Sequence, residues 1–384
     1  MVSDTEVVEV KEGDTIILAP KSSILGKIPP KLPAFYNPAA KLGRDVSLRI
    51  YNAYASLVGA DVTFADVLSG VGARGLRVAK ECQRIARVYL NDLNPMAIEL
   101  AKKAAELNGV LERCVFTTKD ALLFLAEHSA PRSRFDIVDV DPFGSPLPYL
   151  PAALRAVKRG GLLSLTATDT AVLGGVYPKV ALRRYGGSSM RCEYANEVGA
   201  RLLLSAAARQ AMSINAGITP VFAHASRHYI RVYFTLESGA SKADENLDKI
   251  GYINQCGECG YREGGERREL CPTCGAKMLN AGPLWLGTLF SNRVLEAAVK
   301  FRSEGLNLED KIITIALDEC DLPPTYYTVD ELAKRLKVTT PSVKCVIGSL
   351  RARGFRAART VFNPKGVRTD APKEEVKKAV LGLK

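Results

Sequence analysis

The clearest indication of the fold is DVTFADVLSGVGARGLR, Asp61–Arg77. A run of apolar and β-branched residues ends in a turn that contains Gly70, Gly72 and Gly75, and a helical pattern follows the turn. Glycines at this spacing between a strand and a helix allow a tight turn and let the backbone approach a bound nucleotide closely. Asp92 lies 20 residues after Gly72, at the end of the next apolar run, where a carboxylate can accept hydrogen bonds from ribose hydroxyls. The stretch therefore predicts a nucleotide-binding βαβ unit.

Strand and helix patterns alternate from this stretch to about residue 238. Asn94 suits a helix N-cap and Asn108-Gly109 suits a helix end, so a helix is predicted between them. Strands that alternate with helices predict an α/β fold with a doubly wound, Rossmann-like parallel sheet. Ligands of such sheets bind beyond the carboxyl ends of the strands. Four of those ends carry carboxylates, namely Asp66, Asp92, Asp120 and Asp141.

The first three strand ends are compatible with two cofactors, NAD and S-adenosylmethionine. Both contain an adenosine, whose ribose Asp92 can hold and whose adenine amino group can donate to Asp120. The fourth strand end carries the sequence DPF, which has no evident use in a dehydrogenase and suits an amine methyltransferase. The sequence therefore favours S-adenosylmethionine. The cofactor-binding residues predicted from these motifs are Asp66, Gly70, Gly72, Asp92, Asp120 and Ala121.

Asp141, Pro142 and Phe143 follow the fourth strand directly. An exocyclic amine on a nucleobase is a poor nucleophile, because its lone pair is delocalised into the ring. Two acceptors aimed at its hydrogens, the Asp141 carboxylate and the Pro142 carbonyl, would localise that pair and hold the nitrogen towards a methyl donor. Phe143 would stack on the base. We predict that these three residues are the catalytic residues of a nucleobase amine methyltransferase.

The composition favours a polyanionic partner. The 384 residues have a formal net charge of +12 and a pI of about 9.2, which favours nucleic acid as that partner.

The N-terminal sequence lacks the basic and apolar segments of a signal peptide, and no apolar run approaches the roughly 18 residues of a membrane span. Five of the nine cysteines are scattered, as in a reducing compartment. We expect a cytoplasmic protein without membrane association and, for the oligomeric state that the sequence leaves open, a monomer.

The other four cysteines form a cluster in CGECGYREGGERRELCPTCG. Two C-x2-C pairs are separated by eleven residues, and glycine follows the second cysteine of each pair. Two such turns can supply four thiolates in a tetrahedron, as a structural zinc site requires. The alternative of two disulfides requires an oxidising compartment. The predicted zinc ligands are Cys256, Cys259, Cys271 and Cys274.

The C-terminal part predicts a helix-turn-helix over Tyr326–Phe355, in which Thr328 and Glu331 form a capping box. The stretch SGASKADENLDK, which precedes the cysteine cluster, has the composition of a linker. We therefore predict two domains, residues 1–240 for the methyltransferase and residues 241–384 for a smaller zinc-containing α+β domain with a helix-turn-helix-like part.

Six basic residues without an acidic one among them form a predicted phosphate-binding strip, namely Arg351, Arg353, Arg356, Arg359, Lys365 and Arg368.

Several motifs together resemble those of the tRNA guanine-26 N2-dimethyltransferase family. They are FYNP, DVLSGVGARGLR, NDLNP, KDA, DPFGSP and, near the C-terminus, RTVFNPKGVRTDAP. The resemblance covers most of the chain, and DPFG is more specific than the Asp-Pro-Pro-Tyr motif of amino methyltransferases in general. It implies that S-adenosylmethionine is the methyl donor, that tRNA is the partner, and that the N2 amine of guanosine 26 is methylated twice. It also implies that Arg44 and Arg74 contact S-adenosylmethionine, and that Phe35 forms the wall opposite Phe143 in a sandwich around the base.

Two alternatives remain at this stage. The first is the same chemistry on another tRNA guanosine or on DNA. The second is a regulator that combines a zinc ribbon and a helix-turn-helix with an NAD-sensing Rossmann domain. That regulator explains the glycine turn and Asp92 but leaves Asp141 and Phe143 without a purpose.

Overall fold

The computed structural model describes residues 6–25, 29–59, 61–226, 228–301 and 307–382. None of the helices in these ranges has both the length and the apolar content that crossing a membrane requires. The strands are β1 (Val7–Glu12), β2 (Thr15–Pro20), β3 (Val62–Asp66), β4 (Ile85–Asn91), β5 (Cys114–Thr117), β6 (Phe135–Val140), β7 (Val157–Ala167), β8 (Ala216–Ala225), β9 (Ile230–Ser238), β10 (Ile250–Cys256), β11 (Arg262–Gly265), β12 (Met278–Trp285), β13 (Tyr327–Thr328), β14 (Ala357–Thr360) and β15 (Asn363–Thr369). The α-helices are α1 (Ser22–Leu25), α2 (Lys41–Val58), α3 (Ala73–Glu81), α4 (Pro95–Leu107), α5 (Ala121–Glu127), α6 (Leu150–Ala156), α7 (Thr170–Leu173), α8 (Pro178–Tyr185), α9 (Ala195–Met212), α10 (Ala240–Leu247), α11 (Asn292–Val299), α12 (Leu308–Glu319), α13 (Val329–Leu336), α14 (Val343–Ala352) and α15 (Lys373–Leu381).

The largest sheet has the strand order β5-β4-β3-β6-β7-β9-β8. The five strands from β5 to β7 pair in parallel, whereas β9 is antiparallel to both β7 and β8. The predicted doubly wound α/β fold is confirmed for the parallel part, and β8 was not predicted. Because β4 lies on one side of β3 and β6 on the other, the strand order reverses at β3. In such sheets the ligand crevice lies at the carboxyl ends of the strands around this point.

The central strand β6 is covered on both faces. Every residue of β6 is buried, as expected for a parallel strand with helices packed on each side of the sheet. The helix predicted after Asn94 is confirmed as α4: the Asn94 side chain accepts a hydrogen bond from the Met96 amide at 3.0 Å, and Gly109 follows the helix with a φ of 65°. These packed elements fix the positions of the strand ends that carry the carboxylates.

The stretch predicted to be a linker is helix α10, so that prediction is wrong. Its composition is polar, but the Asn246 amide is buried and makes two hydrogen bonds with the Ile218 backbone, at 2.7 and 3.1 Å. These contacts fix the helix against β8, which explains why a polar composition does not produce an extended linker here. The predicted boundary at residue 240 stays a prediction.

Two helices, α13 and α14, lie in the stretch for which a helix-turn-helix is predicted, and both pack with the small sheet β13-β15-β14. The predicted capping box is wrong. Thr328 precedes α13, but its hydroxyl donates to Oε2 of Glu193 at 2.6 Å and makes no capping hydrogen bond. The hydroxyl binds Glu193 instead, and local sequence does not reveal this partner because it is 135 residues away along the chain.

The predicted basic strip is wrong for Arg368, which is 1% exposed. Its guanidinium donates to Oε2 of Glu197 at 2.8 Å and to Oε2 of Glu319 at 2.6 Å. A phosphate cannot reach a side chain that is enclosed in this way. Burial by itself would raise the pKa of Glu197, but Arg368 and Arg201 outweigh that effect and lower it to about 2. Arg368 therefore connects β15 to helix α9 through its ion pair with Glu197.

Candidate active site

The glycine turn between β3 and α3 has the conformation that its sequence predicts. Gly72 has a φ of 78°, and a Cβ atom there would lie 2.8 Å from Cδ2 of Leu90. Gly70 has a φ of 53°, and a Cβ atom there would lie 2.8 Å from the carbonyl oxygen of Phe35. Side chains at either position would therefore be strained and would clash. The FYNP segment therefore lies directly against the nucleotide turn, where the Phe35 carbonyl accepts a hydrogen bond from the Val71 amide at 3.4 Å, and local sequence did not reveal this.

Asp92 lies just beyond the end of β4 and next to this turn. Its Oδ2 accepts a hydrogen bond from the Gly70 amide at 2.8 Å, and its Oδ1 accepts one from the Asn94 amide at 2.9 Å. Each carboxylate oxygen has a second lone pair, so both can still accept a ribose hydroxyl. Leu93, the next residue, is 67% exposed and offers an apolar surface beside the carboxylate.

Asp120 is the N-cap of α5, at the end of the neighbouring strand β5. Its Oδ1 accepts from the Leu122 amide at 2.8 Å. Ala121 is buried, so only its backbone can contact a ligand, whereas Leu122 is 43% exposed. Each of these two carboxylates has an exposed leucine beside it. The carboxylates can accept hydrogen bonds from the hydroxyls and the amino group of an adenosine, and the leucines offer apolar surface to its ring. The described residues therefore fit S-adenosylmethionine.

Arg44 has a partner that the sequence did not suggest. The guanidinium is buried and lies 2.5 Å from Oε1 of Glu12, and it also donates to the Asn37 carbonyl at 3.0 Å. Burial by itself would raise the pKa of Glu12, but Arg44 outweighs it and holds that pKa below its usual value. In this structure Arg44 joins the N-terminal hairpin β1–β2 to α2. Its contact with the cofactor stays a prediction.

Asp141 and Phe143 lie at the carboxyl end of β6 and reach solvent. The Asp141 side chain is 29% exposed and Phe143 is 55% exposed. Oδ2 of Asp141 lies 2.5 Å from Nη2 of Arg74, whereas Oδ1 has no hydrogen-bond donor among the described residues. Pro142 is buried between its two neighbours. The loop therefore presents one free carboxylate oxygen and one aromatic face at the same edge of the sheet.

Phe35 and Phe143 contact each other directly. Their ring centroids are 4.7 Å apart and the ring planes are inclined by 82°. Two rings that enclose a base must be parallel and about 7 Å apart, since each stacked layer needs about 3.5 Å. The rings therefore do not form the implied sandwich in this structure, although both are present at the site. The Lys31 ammonium lies 4.7 Å from the Phe143 ring centroid and adds a positive charge at this opening.

A buried polar network lies beneath Asp141. Asp139 is wholly buried and pairs with Arg231, which is 1% exposed, and with Nε of Arg74 at 3.4 Å. The Tyr51 hydroxyl also donates to Asp139, and Arg74 donates to the Ser47 hydroxyl at 2.7 Å. Burial by itself would raise the pKa of Asp139, but the two arginines outweigh it and lower that pKa. The network fixes Arg74, and Arg74 in turn fixes Asp141.

Arg231 and Tyr51 are not among the residues that the sequence patterns predict. The available signal was Arg231 itself, which lies within the otherwise apolar run IRVYF. A charge inside such a strand is buried only when it is paired, and the pattern could have indicated a carboxylate partner. It could not indicate which one, because Asp139 is 92 residues away along the chain.

Asp66 is a second buried carboxyl group in this region, near Asp139. Its Oδ2 accepts a hydrogen bond from the Gly75 amide at 3.0 Å. Burial and then the negative charge of Asp139 raise the pKa of Asp66 to about 8. Arg74 and Arg231 balance the charges of Asp139 and Asp141, so they leave no cation to balance Asp66 in its ionised form.

We expect the stability of the protein to depend on the ionisation of Asp66. The unfolded chain has a carboxyl pKa of about 3.9, so the raised folded-state pKa favours the neutral form in the folded protein. This stabilisation is fully present below about pH 4 and is lost as the pH rises towards about 8. Asp66→Asn should therefore increase the free energy of unfolding more at pH 8 than at pH 5, by about 2 to 4 kcal/mol in urea titrations without cofactor. Equal effects at both pH values would contradict this assignment.

The four clustered cysteines lie together at one end of the small sheet β11-β10-β12. All four Sγ atoms lie within 4.8 Å of one another, and the Cys256–Cys274 and Cys259–Cys271 pairs are 3.5 and 3.6 Å apart. A tetrahedron with zinc–sulfur distances of about 2.3 Å has sulfur–sulfur distances of about 3.8 Å. The donor set therefore fits one zinc ion with all four positions taken by thiolates.

The comparisons with known proteins agree with this geometry. A model of the family described as N2,N2-dimethylguanosine tRNA methyltransferase matches residues 10–381. The chain is 34% identical to the tRNA (guanine(26)-N(2))-dimethyltransferase of Methanothermobacter thermautotrophicus, over 98% of this chain and 99% of that protein. It is 37% identical to the tRNA (guanine(26)-N(2))-dimethyltransferase of Pyrococcus abyssi, over 96% of this chain and 97% of that protein.

A solved structure shows the same fold. Trm1 from Pyrococcus horikoshii, determined in complex with S-adenosyl-L-methionine, superposes with a TM-score of 0.83 at 34% identity. The superposition covers 97% of this chain and 99% of that one. The resemblance drawn from the motifs is thereby confirmed over nearly the whole chain, and the chain belongs to the N2,N2-dimethylguanosine tRNA methyltransferase family.

Proposed function

We propose that this protein transfers methyl groups from S-adenosylmethionine to the N2 amine of guanosine 26 in tRNA. Two successive transfers give N2,N2-dimethylguanosine. The observation that carries the proposal is the position of Asp141 and Phe143, which are both accessible to solvent at the same sheet edge as the glycine turn and Asp92. The family membership agrees with it.

The cofactor residues have separate roles in this proposal. S-adenosylmethionine supplies a methyl group activated by its positively charged sulfur. Asp92 would hold the ribose hydroxyls, Asp120 and the Ala121 backbone would contact the adenine, and the turn with Gly70 and Gly72 would let the backbone approach the nucleoside. Asp66 lies beneath this turn, where its hydrogen bond with Gly75 fixes the start of α3. Arg44 and Arg74 would contact the amino-acid end of the cofactor, as the family resemblance implies.

The catalytic loop would orient and activate the amine. Oδ1 of Asp141 would accept one hydrogen of the amine and the Pro142 carbonyl would accept the other, which localises the nitrogen lone pair. Phe143 would stack on the base, and Phe35 would complete the pocket after the two rings separate. Methyl transfer breaks the methyl–sulfur bond of the donor, which leaves a neutral thioether, as the N–C bond forms. The nitrogen would then lose one proton to Asp141, and from there the proton would pass to solvent at the exposed side of the carboxylate.

The second transfer places a further requirement on the pocket. The singly methylated amine keeps one hydrogen, which Asp141 can still accept, and its methyl group needs space. Gly144 follows the catalytic loop with a φ of 77°, and a Cβ atom there would contact nothing within 4 Å. Space beside the loop is therefore compatible with dimethylation.

A methyl-transfer assay tests the proposal. The protein is mixed with labelled S-adenosylmethionine and unmodified tRNA transcript, and the RNA is digested to nucleosides. We expect N2-methylguanosine first and N2,N2-dimethylguanosine later, and no label in a transcript in which adenosine replaces guanosine 26. Label at another guanosine or in DNA would favour the first alternative. Binding of NAD without binding of S-adenosylmethionine would favour the regulator.

We also propose that the cysteine cluster holds one structural zinc ion and that residues 241–384 help to bind tRNA. The sulfur distances support the first proposal, and the helix-turn-helix α13–α14 supports the second. The ion would fix the turns between β10, β11 and β12. Since all four positions would be taken by thiolates, it would have no direct part in methyl transfer.

Removal of one ligand should release the metal. We expect about one zinc per chain in the wild-type protein and much less in Cys271→Ser, with a lower melting temperature because metal binding stabilises such sites by several kcal/mol. Elemental analysis and thermal denaturation measure these effects. Cys345→Ser is the matched control, because Cys345 is an exposed cysteine outside the cluster. Equal zinc content in both variants would contradict the assignment of the ligands.

A further inference from the structure

An exposed surface beside the catalytic loop combines apolar and basic side chains. It consists of α8 with the residues just before it and one residue from the following loop. Val176, Tyr177 and Leu182 are 40%, 54% and 53% exposed. Lys179, Arg183 and Arg191 are exposed around them. We call these six residues the α8 surface.

Hydrogen bonds connect this surface to the catalytic loop. The amide of Gly144 donates to the Thr168 hydroxyl at 2.6 Å, and the Thr168 amide donates to the Gly144 carbonyl at 2.8 Å. The next residue, Asp169, accepts from Arg184 and from the Tyr185 hydroxyl, both at 2.6 Å. Gly144 is three residues from Asp141, and Arg184 and Tyr185 end α8. The helix is therefore fixed at the mouth of the proposed active site.

The backbone before α8 is packed tightly. A Cβ atom at Gly175 would lie 2.3 Å from the carbonyl carbon of Met190 and 2.6 Å from the amide of Arg191, so the two segments touch. This contact brings Arg191 next to Val176 and Tyr177. Ala181 and Tyr185 are buried on the inner side of α8, which leaves Leu182 and Arg183 on its outer side.

The cations of the α8 surface are available for a ligand. In the described part of the chain, Lys179, Arg183 and Arg191 form no ion pair, whereas their neighbour Arg184 pairs with Asp169. Three unpaired cations next to exposed aromatic and aliphatic side chains match a nucleic acid, which offers phosphates and flat base faces. The surface is continuous with a site that must receive a base extruded from its stack.

We propose that the α8 surface binds the tRNA segment that flanks the target guanosine. In this arrangement Tyr177 stacks on a base that the extruded guanosine leaves exposed, and Leu182 packs beside it. Lys179, Arg183 and Arg191 hold the neighbouring phosphates. The inference rests on the proposed function and adds to it the residues that stabilise the extruded state.

Substitution of Tyr177 tests the stacking contact. Stacking of a base on an aromatic ring changes binding by about 5- to 150-fold, so Tyr177→Ala should lower kcat/KM for tRNA within that range. Tyr177→Phe keeps the ring and should stay close to wild type. In tRNA with 2-aminopurine next to guanosine 26, the fluorescence change on binding should be lost in Tyr177→Ala and kept in Tyr177→Phe. The affinity for S-adenosylmethionine should not change in either variant.

A triple substitution tests the phosphate contacts. The combined substitutions Lys179→Ala, Arg183→Ala and Arg191→Ala should raise KM for tRNA by about tenfold or more. The slope of log KM against log salt concentration should fall by about 2 to 3. The matched control removes three exposed arginines at the opposite edge of the sheet, Arg84, Arg87 and Arg132, and should have a much smaller effect.

The outcomes separate the two proposals. A wild-type protein that methylates no tRNA overturns the proposed function and this inference with it. A wild-type protein that methylates tRNA, with Tyr177→Ala and the triple variant indistinguishable from wild type, overturns only the role of the α8 surface. The same loss in the triple variant and its control overturns the local phosphate contacts and indicates a diffuse effect of net charge.

Discussion

Asp141→Asn is expected to lower kcat for tRNA methylation by about 10²- to 10⁴-fold, the range for loss of a group that handles a proton in the transition state. An amide nitrogen in place of a carboxylate oxygen donates a hydrogen bond where the amine needs an acceptor. Arg74 keeps a carboxylate partner in this variant, because Asp139 lies 3.4 Å from its Nε atom. The fold and the affinity for S-adenosylmethionine should therefore stay near those of the wild type.

The control for this variant lies on the same strand. Asp136 is at the amino end of β6, where it pairs with Lys158 at 2.8 Å, and Asp141 follows the carboxyl end. Asp136→Asn removes a carboxylate from the same strand without touching the site, so kcat should be kept. Single-turnover rates with saturating cofactor measure the chemical step directly. An Asp141→Asn protein with wild-type kcat would contradict the proposed mechanism.

Arg231→Met is expected to lower the free energy of unfolding by about 3 to 5 kcal/mol, because it leaves Asp139 as a buried carboxylate that has lost its main partner. Arg231 also donates to the Tyr51 hydroxyl at 2.7 Å and to the Tyr233 hydroxyl at 2.8 Å, and both contacts are lost with it. Urea titration measures the stability. Arg231 is a positioning residue, so kcat should fall as well, without a matching loss of cofactor affinity.

A second substitution separates these effects. Asp139→Asn combined with Arg231→Met removes the unpaired charge, since replacing both members of a buried ion pair is often close to neutral for stability. The double variant should therefore regain most of the lost stability. It should regain little of the lost kcat, because Arg74 still lacks the network that orients it towards Asp141. Recovery of both quantities would show that Arg231 acts only on stability.

Local sequence was sufficient for the features that depend on neighbouring residues. A glycine turn, a helix cap such as Asn94 and a C-x2-C pair are each determined by a few consecutive positions, so their patterns predicted the nucleotide turn, α4 and the cysteine cluster. Alternation of strands and helices likewise predicted the parallel sheet, because the hydrophobic period changes where the element type changes. The carboxyl ends of the strands then placed Asp92, Asp120 and Asp141 at one edge.

The sheet, the carboxylates at its edge and the DPF loop could thus be predicted from consecutive residues, whereas the charges that those carboxylates meet depend on how distant segments pack. Arg74 pairs with Asp141 across 67 residues and Arg368 is enclosed by Glu197 across 171 residues. The contact of Phe35 with Phe143 is equally non-local. Burial makes an unpaired charge costly, but any of several carboxylates can satisfy an arginine. Only the packing of strands and helices selects the partner.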